Sequence, residues 1–184
     1  MKISTKSLGL AGCYELLPSI LEDSRGSFVK TFHDEAFKEN GFETCFKEDY
    51  YSWSVKDVLR GLHFQVPPKD HVKLVYCPVG MVMDVIVDLR KNSPTFGQYI
   101  TLDLSAEKAN MVYIPVGMAH GFYVKSDKAL VVYKVSSVYS PEHDRGIHWN
   151  SLGISWPNLE PIVSGRDNKF IGFDNFVSPF IYNE

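Results

Sequence analysis

The sequence predicts an all-β protein, a sandwich or barrel with a few short helices, and three observations carry that expectation. From Val58 onward, short runs rich in Val, Ile, Tyr and Phe recur between turn clusters such as "KNSPTFG", "SAEKAN" and "PVGMAHG". Short strands at that spacing are the signature of sandwiches and barrels. Aromatic residues reach 14%, and they favour pleated, half-buried surfaces. The best helical stretch is the short "HDEAFKENG" (33–41), rich in helix formers and stopped by a glycine.

The strands follow in order. In "VLRGLHFQVPP" (58–68), regular alternation places Leu59, Gly61, His63 and Gln65 on one face and Arg60, Leu62 and Phe64 on the other. "VKLVYCPVGMVMDVIVDLR" (72–90) reads as two runs broken at Pro78 and Gly80. "GQYITLDLS" (97–105), "NMVYIP" (110–115) and "HGFYVKS" (120–126) come next. "KALVVYKVSSVYS" (128–140) closes the series. If that strand is regular, Tyr133 and Tyr139 share a face about 20 Å apart by strand rise, the length of an extended nucleotide-sugar. The tail from Pro141 has room for two short helical segments. No repeat, low-complexity tract or linker divides the chain, and its 184 residues suit one domain over 1–184.

Composition narrows the function. A net charge of −3 without a basic stripe argues against nucleic-acid binding. Cys13, Cys45 and Cys77 form neither a disulfide framework nor a CxxC metal pattern, which suits a reducing cytoplasm. The first residues are too polar for a secretory leader, and no apolar run approaches a membrane span. A cytoplasmic protein without membrane contact is expected.

Several polar residues interrupt apolar runs and are candidates for a cavity. His63 and His120 stand in strand-like segments, and Lys73 opens one; a lysine inside a barrel is costly unless it meets an anion. Asp84 and Asp88 share a face of a strongly apolar strand and need partners, for which Arg60 and Arg90 are candidates. His63, His71 and His120 could together hold a metal, although no paired HxH spacing is present: the chain reads His63-Phe64-Gln65.

The segments "VLRGLHFQ", "GMVMDVIVDLRKNSPTFGQY", "IPVGMAHGFYVKSD", "YKVSSVYSPEHDRGIHWN" and "LGISWP" closely resemble the dTDP-4-dehydrorhamnose 3,5-epimerase family, often called RmlC-like. The resemblance runs from about Glu22 to Asp167. It implies a cupin-type β-barrel or jelly roll, a homodimer that exchanges or shares N-terminal strands, and no metal or other cofactor. It implies a nucleoside-diphosphate 4-keto-6-deoxyhexose as substrate, epimerised at C3, C5 or both through an enolate, in deoxysugar and surface-polysaccharide synthesis. By the same resemblance His63 is the base, Asp167 of "SGRD" its orienting carboxylate, Lys73 the enolate's cation and Tyr133 the proton donor. Arg60 and His120 match substrate contacts, Tyr139 the aromatic that stacks on the base, and Arg25 an arginine that contacts the nucleotide. A 3,4-ketoisomerase, a metal-dependent cupin enzyme and an inactive sugar-nucleotide binder are the competing readings.

Three departures fall in the recognition set. Lys30 replaces the glutamate of the family's R-G-x-F-x-E, and "EDYYS" replaces a motif close to Q-D-N-x-S, so that Glu48 and Tyr50 stand where Gln and Asn are usual. Asp144 occupies a position often held by glutamate. Rewritten hydrogen-bonding groups change what a binding site accepts, so a nucleotide other than dTDP (CDP, GDP or UDP) or a modified sugar is expected.

Overall fold

The computed structural model describes residues 3–183; Met1, Lys2 and Glu184, the ends of the expected 1–184 domain, lie outside them. The strands are β1 (Ile3–Ser7), β2 (Tyr14–Pro18), β3 (Ile20–Asp23), β4 (Gly26–Val29), β5 (Glu48–Val55), β6 (Val58–Gln65) and β7 (Lys73–Val79). They continue with β8 (Met81–Asp88), β9 (Tyr99–Ser105), β10 (Met111–Ile114), β11 (Met118–Val124), β12 (Lys128–Val135), β13 (Asp144–Gly146) and β14 (Ile162–Val163). Helix α1 (Asp34–Glu39) is capped by the His33 side chain, and two 3-10 turns lie at Asp167–Lys169 and Phe173–Asn175, the two helical segments expected in the tail.

Two sheets face one another. The first runs β1-β2-β10-β7-β12-β5 and the second β13-β6-β11-β8-β9, with β14 alongside β6. The two sheets are not joined by hydrogen bonds between the described strands, so of the expected forms, barrel or jelly roll, the chain takes the open jelly-roll sandwich. Among the described residues, strands β3 and β4 pair only with each other. Three apolar layers hold the stack. Between the sheets lie Val75, Ile86, Leu104, Phe122 and Val131. Helix α1 brings Phe37 onto the outer face of the first sheet, against Leu74 and Met111. The tail folds Trp149, Trp156 and Phe180 over the outer face of the second, against Leu62, Val85 and Val87. Both faces of β11 are therefore covered, which is why all seven of its residues are buried.

Local departures from the sequence reading have physical reasons. Pro78 sits inside β7, and Gly80 alone makes the break, at φ +81. Strand β12 ends at Val135, so Tyr139 is on the following loop and not on the strand of Tyr133. Cys13, Cys45 and Cys77 are free thiols. Among the described residues no helix is long and apolar enough to cross a membrane.

Candidate active site

One end of the sandwich opens into a cavity of about 360 Å³ between the two sheets. Strand pairing explains which side chains enter it, because residues directly opposite share a face. On the first sheet Val135 pairs with both Lys73 and Glu48, and Tyr133 with Val75 and Tyr50. Val75, Val131 and Tyr133 belong to the core between the sheets, so Lys73, Glu48, Tyr50 and Ser52 face inward with them.

On the second sheet His120 pairs with His63, and Phe122 with Arg60. Two residues of β11 thus span three of β6, a bulge. His120 and Phe122 share a face, so His63 and Arg60 do too. Strict alternation had put them on opposite faces; the bulge brings both to the cavity wall. The crossing is close: a Cβ at Gly61 would lie 2.6 Å from Gly121 Cα, and one at Gly121 would lie 2.7 Å from Arg60 O.

His63 Nε2 lies 2.9 Å from Asp167 Oδ1, and the backbone N–H of Gly61 donates to Asp167 Oδ2 at 3.1 Å. Burial opposes ionisation of Asp167, but its bonds to His63, Gly61 and Ser164 outweigh it and hold the carboxyl below its ordinary value. An ionised carboxylate on Nε2 fixes the Nε2–H tautomer and leaves Nδ1 as the basic nitrogen. The edge of Phe170 packs on the imidazole at 5.7 Å.

Lys73 is buried, and its ammonium donates to the His63 carbonyl at 3.1 Å. Burial pulls its pKa down to about 8, against the nearby carboxylates Asp144 and Asp84. Tyr133 is buried between the Tyr50 ring, stacked at 4.8 Å, and the edge of His120 at 6.0 Å, with Ser52 Oγ 3.5 Å from its hydroxyl. Burial raises its pKa well above that of a free phenol, so it stays protonated. His120 forms a second dyad with Asp84, at 2.7 Å. Burial pushes Asp84 up and His120 down; both directions disfavour a separated ion pair.

Asp84 therefore meets His120, not Arg60, which donates to Ser54 Oγ at 3.0 Å. Asp88 does pair with Arg90, through both carboxylate oxygens. The three-histidine metal site is not assembled: His63 and His120 each face a carboxylate, and His71 Nδ1 faces Gln65. Among the described residues no group of three or more His, Cys, Asp or Glu is placed to hold a metal ion.

Arg60, Tyr139 and Asp144 line the cavity, as do Glu48 and Tyr50. Arg25 and Lys30 do not: Arg25 sits in the β3–β4 turn, paired with Asp23, and Lys30 is exposed beyond β4. The sequence reading missed Arg166, which lines the cavity and binds Asp144; its adjacency to Asp167 in "SGRD" was the available signal. It also missed Gln65, whose Oε1 accepts from Ser140 N at 2.6 Å and whose Nε2 donates to Val138 O at 3.2 Å, pinning the loop that carries Tyr139.

A cupin-like jelly roll that gathers these groups around one cavity defines an enzyme of the isomerase class. The chain belongs to the dTDP-4-dehydrorhamnose 3,5-epimerase family, whose model matches residues 7–175. It is 45% identical over 166 residues to the dTDP-4-dehydrorhamnose 3,5-epimerase of Shigella flexneri, covering 87% of this chain and 92% of that one. The crystal structure of dTDP-6-deoxy-D-glucose-3,5-epimerase RmlC from Legionella pneumophila, in complex with dTDP-4-keto-L-rhamnose, superposes with a TM-score of 0.94 at 34% identity. That match covers 99% of this chain and 100% of the other. ChmJ, a 3'-monoepimerase from Streptomyces bikiniensis solved with dTDP-quinovose, gives 0.85 at 32% identity over 90% and 85% of the two chains.

Proposed function

We propose that this chain epimerises C3, C5 or both of a nucleoside-diphosphate 4-keto-6-deoxyhexose, as one catalytic domain in deoxysugar biosynthesis. The observation that carries the reading is the His63–Asp167 dyad placed across one cavity from buried Tyr133, with Lys73 beside it. His63 Nδ1 removes the proton from the carbon next to the C4 ketone, and Asp167 supports the imidazolium that forms. The electron pair moves onto the ketone oxygen, where the Lys73 ammonium stabilises the enolate. Tyr133 returns a proton to the opposite face, and the bond to hydrogen is remade with inverted geometry. Arg60 and His120 bind the substrate beside these groups.

A homodimer is part of the same proposal. The β3–β4 hairpin is exposed along both strands, with Leu21 63% and Phe28 60% accessible, and it carries Arg25 away from its own cavity. Docked on a second copy, it would bring Arg25 and Lys30 toward that copy's nucleotide. We place the enzyme in the cytoplasm, where nucleotide sugars are available and free thiols persist.

The test is proton NMR in D₂O with 4-keto-6-deoxy sugars on several nucleoside diphosphates. The expected result is deuterium at C3 or C5 with inversion. His63→Ala should lose exchange by about 10²–10⁴-fold, whereas Tyr133→Phe should keep exchange and lose inversion. Exchange that survives His63→Ala would defeat the assignment.

A further inference from the structure

We propose that the cavity is built for a nucleoside diphosphate whose base presents an amino group, as cytosine, guanine and adenine do, and that Glu48 reads that group. The inference rests on the cavity being a nucleotide-sugar site.

The reacting end is fixed by His63, Lys73 and Tyr133. At the rim Tyr139 is 57% exposed and offers an open aromatic face, the kind of surface on which a base stacks. Glu48 stands beside it. Its Oε2 accepts the backbone N–H of Tyr139 at 2.7 Å, which fixes the carboxylate next to that ring, while Oε1 is engaged by none of the described residues.

Charge balance singles Glu48 out. Two carboxylates line the cavity, Glu48 and Asp144. Asp144 is matched by Arg166, and the neighbouring Asp49 by Lys134. Among the described residues Glu48 is in no ion pair. A carboxylate enclosed by a ligand without a donor is costly, so the ligand must supply one. The diphosphate cannot, being anionic; the cations Arg60, Lys73 and Arg166 on the cavity wall suit it instead.

The base can. Cytosine offers its N4 amino group, a recognised partner of Glu and Asp side chains; guanine and adenine also carry exocyclic amino groups. Thymine and uracil present one N–H flanked by two carbonyl oxygens, so a carboxylate there faces lone pairs. CDP and UDP make the sharpest comparison, since they share ribose and diphosphate and differ only on the base edge.

The test is calorimetric binding of CDP, GDP, ADP, dTDP and UDP to the wild-type protein and to Glu48→Gln. The expected result is that at least one amino-bearing nucleotide binds about tenfold or more tighter than dTDP and UDP, and that Glu48→Gln removes most of that preference, because the amide can donate to a carbonyl. Equal or tighter binding of dTDP or UDP overturns the proposal, and so does an equal weakening of all five by Glu48→Gln, the mark of a ribose hydroxyl on Glu48. No measurable binding of any of the five overturns it as well. Because binding is read without turnover, failed C–H exchange in the 4-keto sugars would count against the epimerase reading alone.

Discussion

Lys73 shows how one residue's environment sets a pH limit on the chemistry. Its amine is enclosed by the sandwich, and burial lowers its pKa to about 8, below the ordinary value of 10.5. The ammonium is therefore lost as pH rises through about 8, and with it the charge that the proposed mechanism sets against the enolate. The kcat/KM profile should fall above that point, roughly tenfold per pH unit, and Lys73→Arg should move the limb upward, since a guanidinium stays charged. Lys73→Met should lower kcat/KM by about 10²–10³-fold below about pH 8, and the gap should narrow above it as the wild-type ammonium is lost. An alkaline limb that stays in place in Lys73→Arg would show that another group sets it. At this scale the candidates His63, Lys73 and His120 stood out in the sequence because polar groups interrupt apolar strands. Their pairings did not: Asp84 was matched with an arginine and instead meets His120, and Asp167 lies 104 positions from His63 with no periodicity to link them. Only the family resemblance supplied that pairing.

At the scale of elements, the site depends on the β6–β11 bulge. The Gly61 φ of +141 is in the region that favours glycine, and its contact with Gly121 leaves no space for a methyl group. Gly61→Ala should destabilise the protein by about 2–4 kcal/mol, combining backbone strain with overpacking, and should cut kcat/KM by displacing both the Gly61–Asp167 bond and His63. Urea unfolding reads the first effect; a loss under ~0.5 kcal/mol would match an ordinary surface change and refute the role given to this crossing. The bulge also marks where the sequence stops being legible. Alternation holds for Val131, Tyr133 and Val135, which share one buried face, because β12 is regular there. It failed for Arg60 and His63 because an inserted residue changes the count, and nothing in "VLRGLHFQ" except its glycine signals that. It failed again at Tyr139, where Ser136 and Ser137 leave the strand; Tyr139 still reaches the cavity rim because Gln65 and Glu48 hold its loop.

For the whole molecule, β1–β5, β13 and β14 went unread, whereas strands β6–β12 were legible, since turn clusters punctuate the runs between Val58 and Val135. Closure was not, because whether two sheets join at their edges depends on pairings between distant strands. The same limit applies to the hairpin of β3 and β4. Among the described residues no core covers its outer apolar pair: Leu21 and Phe28, opposite one another, project from strands that pair only with each other. Such a surface is stable in water only at a cost of about 25 cal/mol per Å² of apolar area, and a second copy relieves it twice through one two-fold interface. Light scattering should therefore find a dimer, and the double variant Leu21→Asp, Phe28→Asp should find a monomer. Arg25→Ala separates assembly from recognition. The Arg25 guanidinium is tied to Asp23 at the hairpin tip, outside the apolar contact, so its loss should leave the dimer intact. If the hairpin delivers it to the partner's nucleotide, KM should rise about tenfold or more, the cost of losing a charged hydrogen bond, while kcat stays within about twofold. The monomeric double variant should show the same rise in KM with Arg25 still present, because a single chain cannot bring that arginine to its own cavity. An unchanged KM in both variants would place the nucleotide's contacts entirely within one chain.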